Sequence, residues 1–376
     1  MTQNTDSELA DYRRKHVPLY NDQKLKLGLF GTNCSEGLTM TTAETSYEAT
    51  WEHTLKVAQR ADEIGMEILV PVARWKGFGG STNFNGTNFD TYTWAAGLAA
   101  KTENIMVAST SHLPTVHPLV AAKASATIDH ISAGRFALNL VMGWFTPEME
   151  MFGAAQREHD DRYEFGTEWI EVVKRLWTED APFDFDGRYV HVKGGVSLPK
   201  PVQNPRPVLL NAGNSPAGID FSAKHVDFNF ATIDTLENAR GYAKAVRDRA
   251  RGEYHRDLGV MTYAFVICRD TEEEAQQVKR AILEAGDYEG AKNLMAVLGM
   301  QSASFSEQIR VYQERFILGW GGYPIIGTPE QVVDELQTLS DVGMDGAILG
   351  FLDYHEEMKY FDDNVMPLLR QAGLRK

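Results

Sequence analysis

Gly134-Arg-Phe-Ala-Leu-Asn-Leu-Val-Met-Gly-Trp144 is the stretch from which the fold is read. Between Phe136 and Met142 every residue is apolar except Asn139. An apolar run that does not alternate is the pattern of a parallel strand buried on both faces. A buried primary amide costs ~1–3 kcal/mol unless its donors and acceptor are used. Asn139 therefore needs a partner, either another strand or a ligand, and its position alone leaves both readings open.

Working outward from this strand, apolar runs alternate with stretches of helical spacing. Strands are expected at residues 25–30, 66–72, 105–109, 136–142, 208–211, 228–231, 260–268 and 346–351. Helices are expected at 46–64, 92–101, 119–131, 162–177, 217–224, 236–251, 272–283, 329–342 and 354–372. Eight strands, each followed by a helix, predict a (β/α)8 TIM barrel with insertions. The Rossmann alternative needs Gly-x-Gly-x-x-Gly after an early strand; Gly77-Phe-Gly79-Gly80 has the wrong spacing, with no acidic ribose ligand in register. Residues 183–192 alternate around Asp186-Gly187 and read as a β-hairpin insert. Residues 286–320 form an irregular, partly helical insert, read as a lid, and residues 1–24 an N-terminal arm. The rest, 25–376, reads as a single domain.

Composition narrows the function. A net charge of −15 argues against nucleic acid as a partner. The two cysteines, Cys34 and Cys268, lie in no Cys-x-x-Cys pair and near no histidine cluster, so neither a disulfide framework nor a metal site is expected. There is no run of 18 apolar residues and no apolar leader, so no membrane segment is expected and the cytoplasm is the default location. Gly-x-Ser-x-Gly and His-Glu-x-x-His are absent.

In a barrel of this kind chemistry sits on the loops that follow the strands. The second such loop carries Ala73, Arg74, Trp75, Lys76 and Phe78 among glycines. The third carries Thr110, His112 and His117, and the fourth Trp144, Glu148, Arg162 and Tyr163. After the fifth strand, Ser215 and Pro216 stand as N-cap and first helical residue, where free N–H groups suit an anion such as phosphate. An ordinary capped helix explains that stretch equally well. A loop histidine is more often structural than a general base, which applies to His112, His117 and His159.

The segment from Ala126 to Trp144 resembles the signature of the bacterial luciferase-like, flavin-dependent monooxygenases. Asp161-Arg-Tyr163, the 183–192 hairpin, residues 211–218 and Gly327-Thr-Pro-Glu330 are similar to that family as well. Two subgroups look closest. The pyrimidine ring-opening enzymes are similar at Lys76-Gly-Phe-Gly-Gly80, 139–148 and 221–230; the sulfone and alkanesulfonate monooxygenases at 117–123, Trp144 and Met151-Phe-Gly153.

The resemblance implies a TIM barrel that takes FMN as FMNH2, with O2, from a separate NAD(P)H:FMN reductase, and oxygenates a small amide, pyrimidine-like or organosulfur substrate through a flavin peroxide. It implies a homodimer or homotetramer. It places Ala73 and Arg74 beside the isoalloxazine, Asn139 on the ring's polar edge, Glu148 on a flavin or ribityl polar group, and Arg162, Tyr163 and Ser215 on the ribityl chain and phosphate. Thr110 is placed on the oxygen side of the ring, with Arg74 toward a substrate oxygen and His117 as proton donor. Arg74, Met142 and His117 depart from the lysine, threonine and proline of the pyrimidine enzymes, which makes the expected substrate space different from theirs. The alternatives are a deazaflavin-dependent hydride-transfer enzyme of the same superfamily, a non-catalytic flavin-binding protein, and a barrel with unrelated phosphate chemistry.

Overall fold

The computed structural model describes residues 6–154, 157–300 and 306–376. Eleven strands are present: β1 (Lys26–Phe30), β2 (Ile68–Val70), β3 (Met106–His112), β4 (Phe136–Val141), β5 (Phe183–Asp186), β6 (His191–Gly195), β7 (Val208–Asn211), β8 (Phe228–Ala231), β9 (Gly259–Cys268), β10 (Tyr323–Gly327) and β11 (Gly346–Gly350). Eight of them close a parallel ring in the order β1-β2-β3-β4-β7-β8-β9-β11, with Lys26 in register with Gly346 where β11 returns to β1. Helices follow the strands around the outside, making a TIM barrel. β5 and β6 pair antiparallel outside the ring.

Alternate residues of each strand face opposite ways, and the packing follows that period. In β4, Phe136, Leu138 and Leu140 pack with the surrounding helices, while Ala137 packs with Ile68, Val70 and Met106 inside the barrel. Asn139 shares the inward face of Ala137. On β3, Thr110 shares the inward face of Ala108 in the same way, and the β3–β4 register sets Thr110 beside Asn139.

β10 has no counterpart among the eight expected strands. It contains Pro324, which cannot donate to a ladder and makes the segment read as a loop. The strand survives because it is an edge, paired only with the far end of β9. The helix Thr146–Met151 was likewise expected to be loop. The 286–320 insert contains the helices Tyr288–Val297 and Ser306–Gly319; the part of the lid reading that falls on 301–305 lies outside the described residues. The expected final helix is two, Tyr354–Asn364 and Met366–Gln371, with Pro367 at the start of the second.

Within 1–24, the helix Asp6–His16 and the turn Pro18–Tyr20 pack under the N-terminal end of the barrel. Tyr20 meets the ring of Phe228 edge-on at 5.4 Å, and Arg13 lies 3.6 Å from Asp227. Burial pushes the Asp227 carboxyl up, but Arg206 at 2.6 Å, with Arg13, outweighs it and holds the group far below its ordinary value. At the same end Arg375 pairs with Glu67 at 2.5 Å and donates to Leu25 O. No helix among the described residues is long and apolar enough to cross a membrane.

Candidate active site

A cavity of about 760 Å³ opens at the C-terminal ends of the strands. Ala73, Arg74, Thr110, Asn139, Arg162 and Tyr163 line it, so six of the expected site residues come together there.

At its centre the Asn139 amide is 4% exposed. Its Nδ2 donates to Thr110 Oγ1 at 3.1 Å, and that hydroxyl donates to Pro71 O at 2.6 Å. The hydroxyl is thus held in one orientation, and Asn139 Oδ1 is left buried with no hydrogen-bond partner. Asn211 and Asn229, on β7 and β8, give the same signal in sequence and have a different fate. Ser222 Oγ donates to Asn211 Oδ1 at 2.9 Å and accepts from Asn229 Nδ2 at 3.0 Å, and the Tyr242 hydroxyl donates to Asn229 Oδ1 at 2.7 Å. Those two amides satisfy their neighbours; Asn139 keeps an acceptor in reserve.

Arg74 is 3% exposed and enclosed by aromatic rings. Its guanidinium carbon lies 5.0 to 5.8 Å from the ring centroids of Phe78, Trp144, Phe145 and Trp320, within cation–π range. Its Nη1 lies 3.4 Å from Glu148 Oε1, and its Nε has no partner. The same Glu148 oxygen accepts from Trp75 N at 2.6 Å and Lys76 N at 3.2 Å. Glu148 is fully buried and does not line the cavity; it clamps the loop after β2 and holds Arg74 in place.

His112 completes this group, its Nδ1 approaching Glu148 Oε2 to 3.3 Å without completing a hydrogen bond. Burial raises the Glu148 carboxyl, but His112 and Arg74 outweigh it and the group ends below its ordinary value. Burial lowers the His112 imidazole, with Glu148 opposing and Arg74 assisting. Starting from ~6.5, a lowered histidine is neutral at pH 7.

His117 is not in the cavity. It is exposed, stands as N-cap of the helix Pro118–Ile131, and its Nδ1 accepts from Leu119 N at 3.3 Å. Proline at 118 starts that helix, and the cap turns the ring outward. The histidine of this loop that reaches the cavity is His112, the last residue of β3.

At the far end of the cavity Ser215 caps the helix Pro216–His225, accepting from Gly218 N at 3.1 Å. Ser215 itself does not line the cavity; Gly213 and the Tyr163 ring do. A Cβ on Gly213 or Gly218 would come within 2.6 or 2.7 Å of the Tyr163 hydroxyl, so this close approach of phenol to helix start requires glycine at both positions. Beside it Arg162 Nε is buried without a partner.

Sequence reasoning missed the aromatic wall. Trp320 stacks on Phe30 at 5.6 Å, and Phe230 and Tyr263 complete that side. Arg315, which belongs to the insert read as a lid, holds this wall by donating to the carbonyls of Ile233, Asp234, Gly321 and Gly322. The cavity therefore combines aromatic walls, an amide whose oxygen has no partner, and cationic and hydroxyl side chains. That donor set fits a flat ring with N–H groups on its edge and an anionic tail.

Residues 27–346 match the family model described as luciferase-like monooxygenase. The FMNH2-dependent dimethylsulfone monooxygenase of Pseudomonas putida is 31% identical over 360 residues, covering 93% of this chain and 96% of that protein. The pyrimidine monooxygenase of Acinetobacter baylyi is 28% identical over 355 residues, covering 92% and 95%. Among solved structures, a long-chain alkane monooxygenase shares the fold with a TM-score of 0.84 at 22% identity, covering 95% of this chain and 93% of that one. With the family match running almost the full length of the barrel, the chain belongs to the luciferase-like monooxygenase family.

Proposed function

We propose that this chain is the oxygenating component of a two-component monooxygenase, using FMNH2 from a separate reductase and O2 to oxygenate a small organosulfur or amide/pyrimidine-like substrate. The observation that carries this reading is Asn139: a buried amide on the cavity wall with its donor fixed by Thr110 and its acceptor without a partner. Isoalloxazine presents an N–H edge to such an acceptor. Its ribityl phosphate suits Arg162, Tyr163 and the helix start capped by Ser215. The dimethylsulfone and pyrimidine monooxygenases that resemble the chain along its length support the same assignment.

When bound, reduced FMN supplies the electrons that activate O2. The chain's own residues do the rest. Asn139 and Thr110 fix the ring's orientation. The rings of Phe78, Trp144, Phe145 and Trp320 exclude water around Arg74, so its charge acts at low dielectric on oxygen anions that develop nearby. Glu148 holds Arg74 and the β2 loop. His112 is neutral and can take up or release a proton at the cavity wall.

The test is anaerobic titration with FMN, FMNH2 and reduced deazaflavin, followed by oxygen consumption with an FMN reductase. Uracil, amides, dimethyl sulfone and alkanesulfonates form the panel, with labelled O2 traced into product. FMNH2 should bind tighter than FMN and at least one compound should raise coupled oxygen use. Binding of deazaflavin alone, or oxygen use that no compound alters, would overturn the assignment.

A further inference from the structure

A second cavity, of about 400 Å³, adjoins the first. Ala73, Arg74, Thr110 and His112 line both. The remaining walls come from residues 86–92, Thr115, Val116 and a Trp75–Phe152 pair whose rings meet edge-on at 5.1 Å. Its volume lies in the range of small-molecule sites, ~300–1,000 Å³.

The polar inventory of this space is one-sided. Arg74 Nε and the Tyr92 hydroxyl are buried with no hydrogen-bond partner, while His112 Nδ1 is turned to Glu148 Oε2. The guanidinium and the phenol are donors at neutral pH; burial holds the Tyr92 hydroxyl protonated. Among the residues lining the cavity one carboxylate occurs, Asp90, and its Oδ1 is taken by Thr93 N at 2.8 Å and Thr93 Oγ1 at 2.7 Å. Buried donors without matching acceptors are costly unless a ligand brings the acceptors.

We propose that the second cavity seats the oxygenation substrate, a small molecule whose sulfonyl, carbonyl or carboxyl oxygens accept from Arg74 and Tyr92. It rests on the reading of the larger cavity as the flavin site. The four shared residues then bring the substrate against the edge of the ring on which Thr110 and Asn139 lie. The Trp75–Phe152 pair forms the apolar lip, and Thr87 lies exposed on the rim. Neither the phosphate end nor the aromatic wall of the larger cavity is shared, so the two sites are separable by experiment.

The variant Thr87→Cys allows the rim to be blocked reversibly with benzyl methanethiosulfonate and released with a thiol. Cys34 and Cys268 are 0% and 5% exposed, and burial pushes both thiols up, so the reagent is directed to the new cysteine. Saturation-transfer NMR on the flavin-free protein then uses dimethyl sulfone, methanesulfonate and acetamide as probes, with FMN affinity followed by fluorescence. In the released form at least one probe should show saturation transfer, reduced at least fivefold in the blocked form, while the FMN dissociation constant stays within twofold. Equal probe signals in both forms, or none in either, would overturn the proposal. So would a block that abolishes FMN binding too, because the cavities would then not be separate. Absence of FMN binding in both forms would instead defeat the flavin assignment and leave the probe comparison to decide the second cavity.

Discussion

At the N-terminal end of the barrel Arg375 is buried against Glu67; at the C-terminal end Arg74 is buried against Glu148. In the first pair both carboxylate oxygens are engaged: Oε1 accepts from Asn21 Nδ2 at 2.9 Å, and Oε2 from Leu27 N at 2.7 Å and from Arg375. Arg375 also donates to the carbonyls of Leu25 and Gly65. In the second pair one oxygen takes every hydrogen bond, while Oε2 faces only the off-line His112 ring. The remaining surface of Arg74 is covered by aromatic faces. Charge and burial are the same at both ends. Each arginine keeps an unpartnered Nε; what differs is the carboxylate, since Glu67 uses both oxygens whereas Glu148 keeps Oε2 spare.

The largest effect is expected at the saturated end. Glu67→Ala leaves Arg375 buried without its countercharge and should cost about 3–5 kcal/mol of stability in urea titration. The FMN affinity of the folded fraction should not change. A loss under ~1 kcal/mol would mean that the pair is not the lock described.

Glu148→Gln keeps an acceptor for the Trp75 and Lys76 amides and removes the charge facing Arg74. Coupled turnover should fall about tenfold, ~1.4 kcal/mol of activation free energy, with a smaller stability loss than Glu67→Ala. Equal stability losses with unchanged coupling would make the two pairs equivalent and erase the contrast.

Acid should act in part through the mouth. His112 titrates lower in the folded chain than its ordinary ~6.5, so below that pH the unfolded chain binds more protons and stability falls as pH drops. Glu148, also lowered, contributes stability above its ordinary ~4.3 that is lost on further acidification. Urea titrations from pH 8 to 5 should show stability declining below about 6.5, with His225 and His53, both also lowered by burial, adding to His112, and His112→Asn should reduce the slope by at most ~1.4 kcal/mol per pH unit, the share of one proton. An unchanged slope in the variant would remove His112 from the group.

The smallest effect is His117→Ala. Loss of the cap should cost about 0.5–1 kcal/mol in stability and leave turnover within twofold. A hundredfold loss of turnover would restore the proton-donor role that the geometry takes from it.

The eight ring strands were legible because burial on both faces leaves little room for ambiguity in composition. The inward face of Asn139 was not legible from an apolar run buried on both faces; it follows from the strand's period once Phe136, Leu138 and Leu140 are seen packed outward. Its difference from Asn211 and Asn229 was not, since only the fold shows that Ser222 and Tyr242 lie within reach of those two amides. Histidines 112 and 117 share one loop region in sequence; a helix cap decides which of them faces the cavity. Glu148 was placed in the right neighbourhood, but its hold on the Trp75 and Lys76 amides was not legible, because backbone amides of a loop over 70 residues earlier leave no trace in local pattern. β10 was hidden by Pro324, a residue that an edge tolerates and a central strand does not.

That edge has a consequence for how the molecule breathes. β9 is ten residues long and changes neighbour midway: Gly259 to Thr262 pair with β8, and Ala264 to Cys268 with β10. The ring of eight is complete without β10. Detaching Tyr323–Gly327 breaks one short ladder and leaves the ring intact, whereas detaching any ring strand breaks two. Amide exchange should therefore divide into two tiers, with Ile325 and Ile326 released by a local opening well below the global unfolding free energy and Leu138 or Leu349 released only with it. Because β10 continues directly from the Arg315 and Trp320 wall, that low-energy opening moves one side of the larger cavity and spares the Asn139 side.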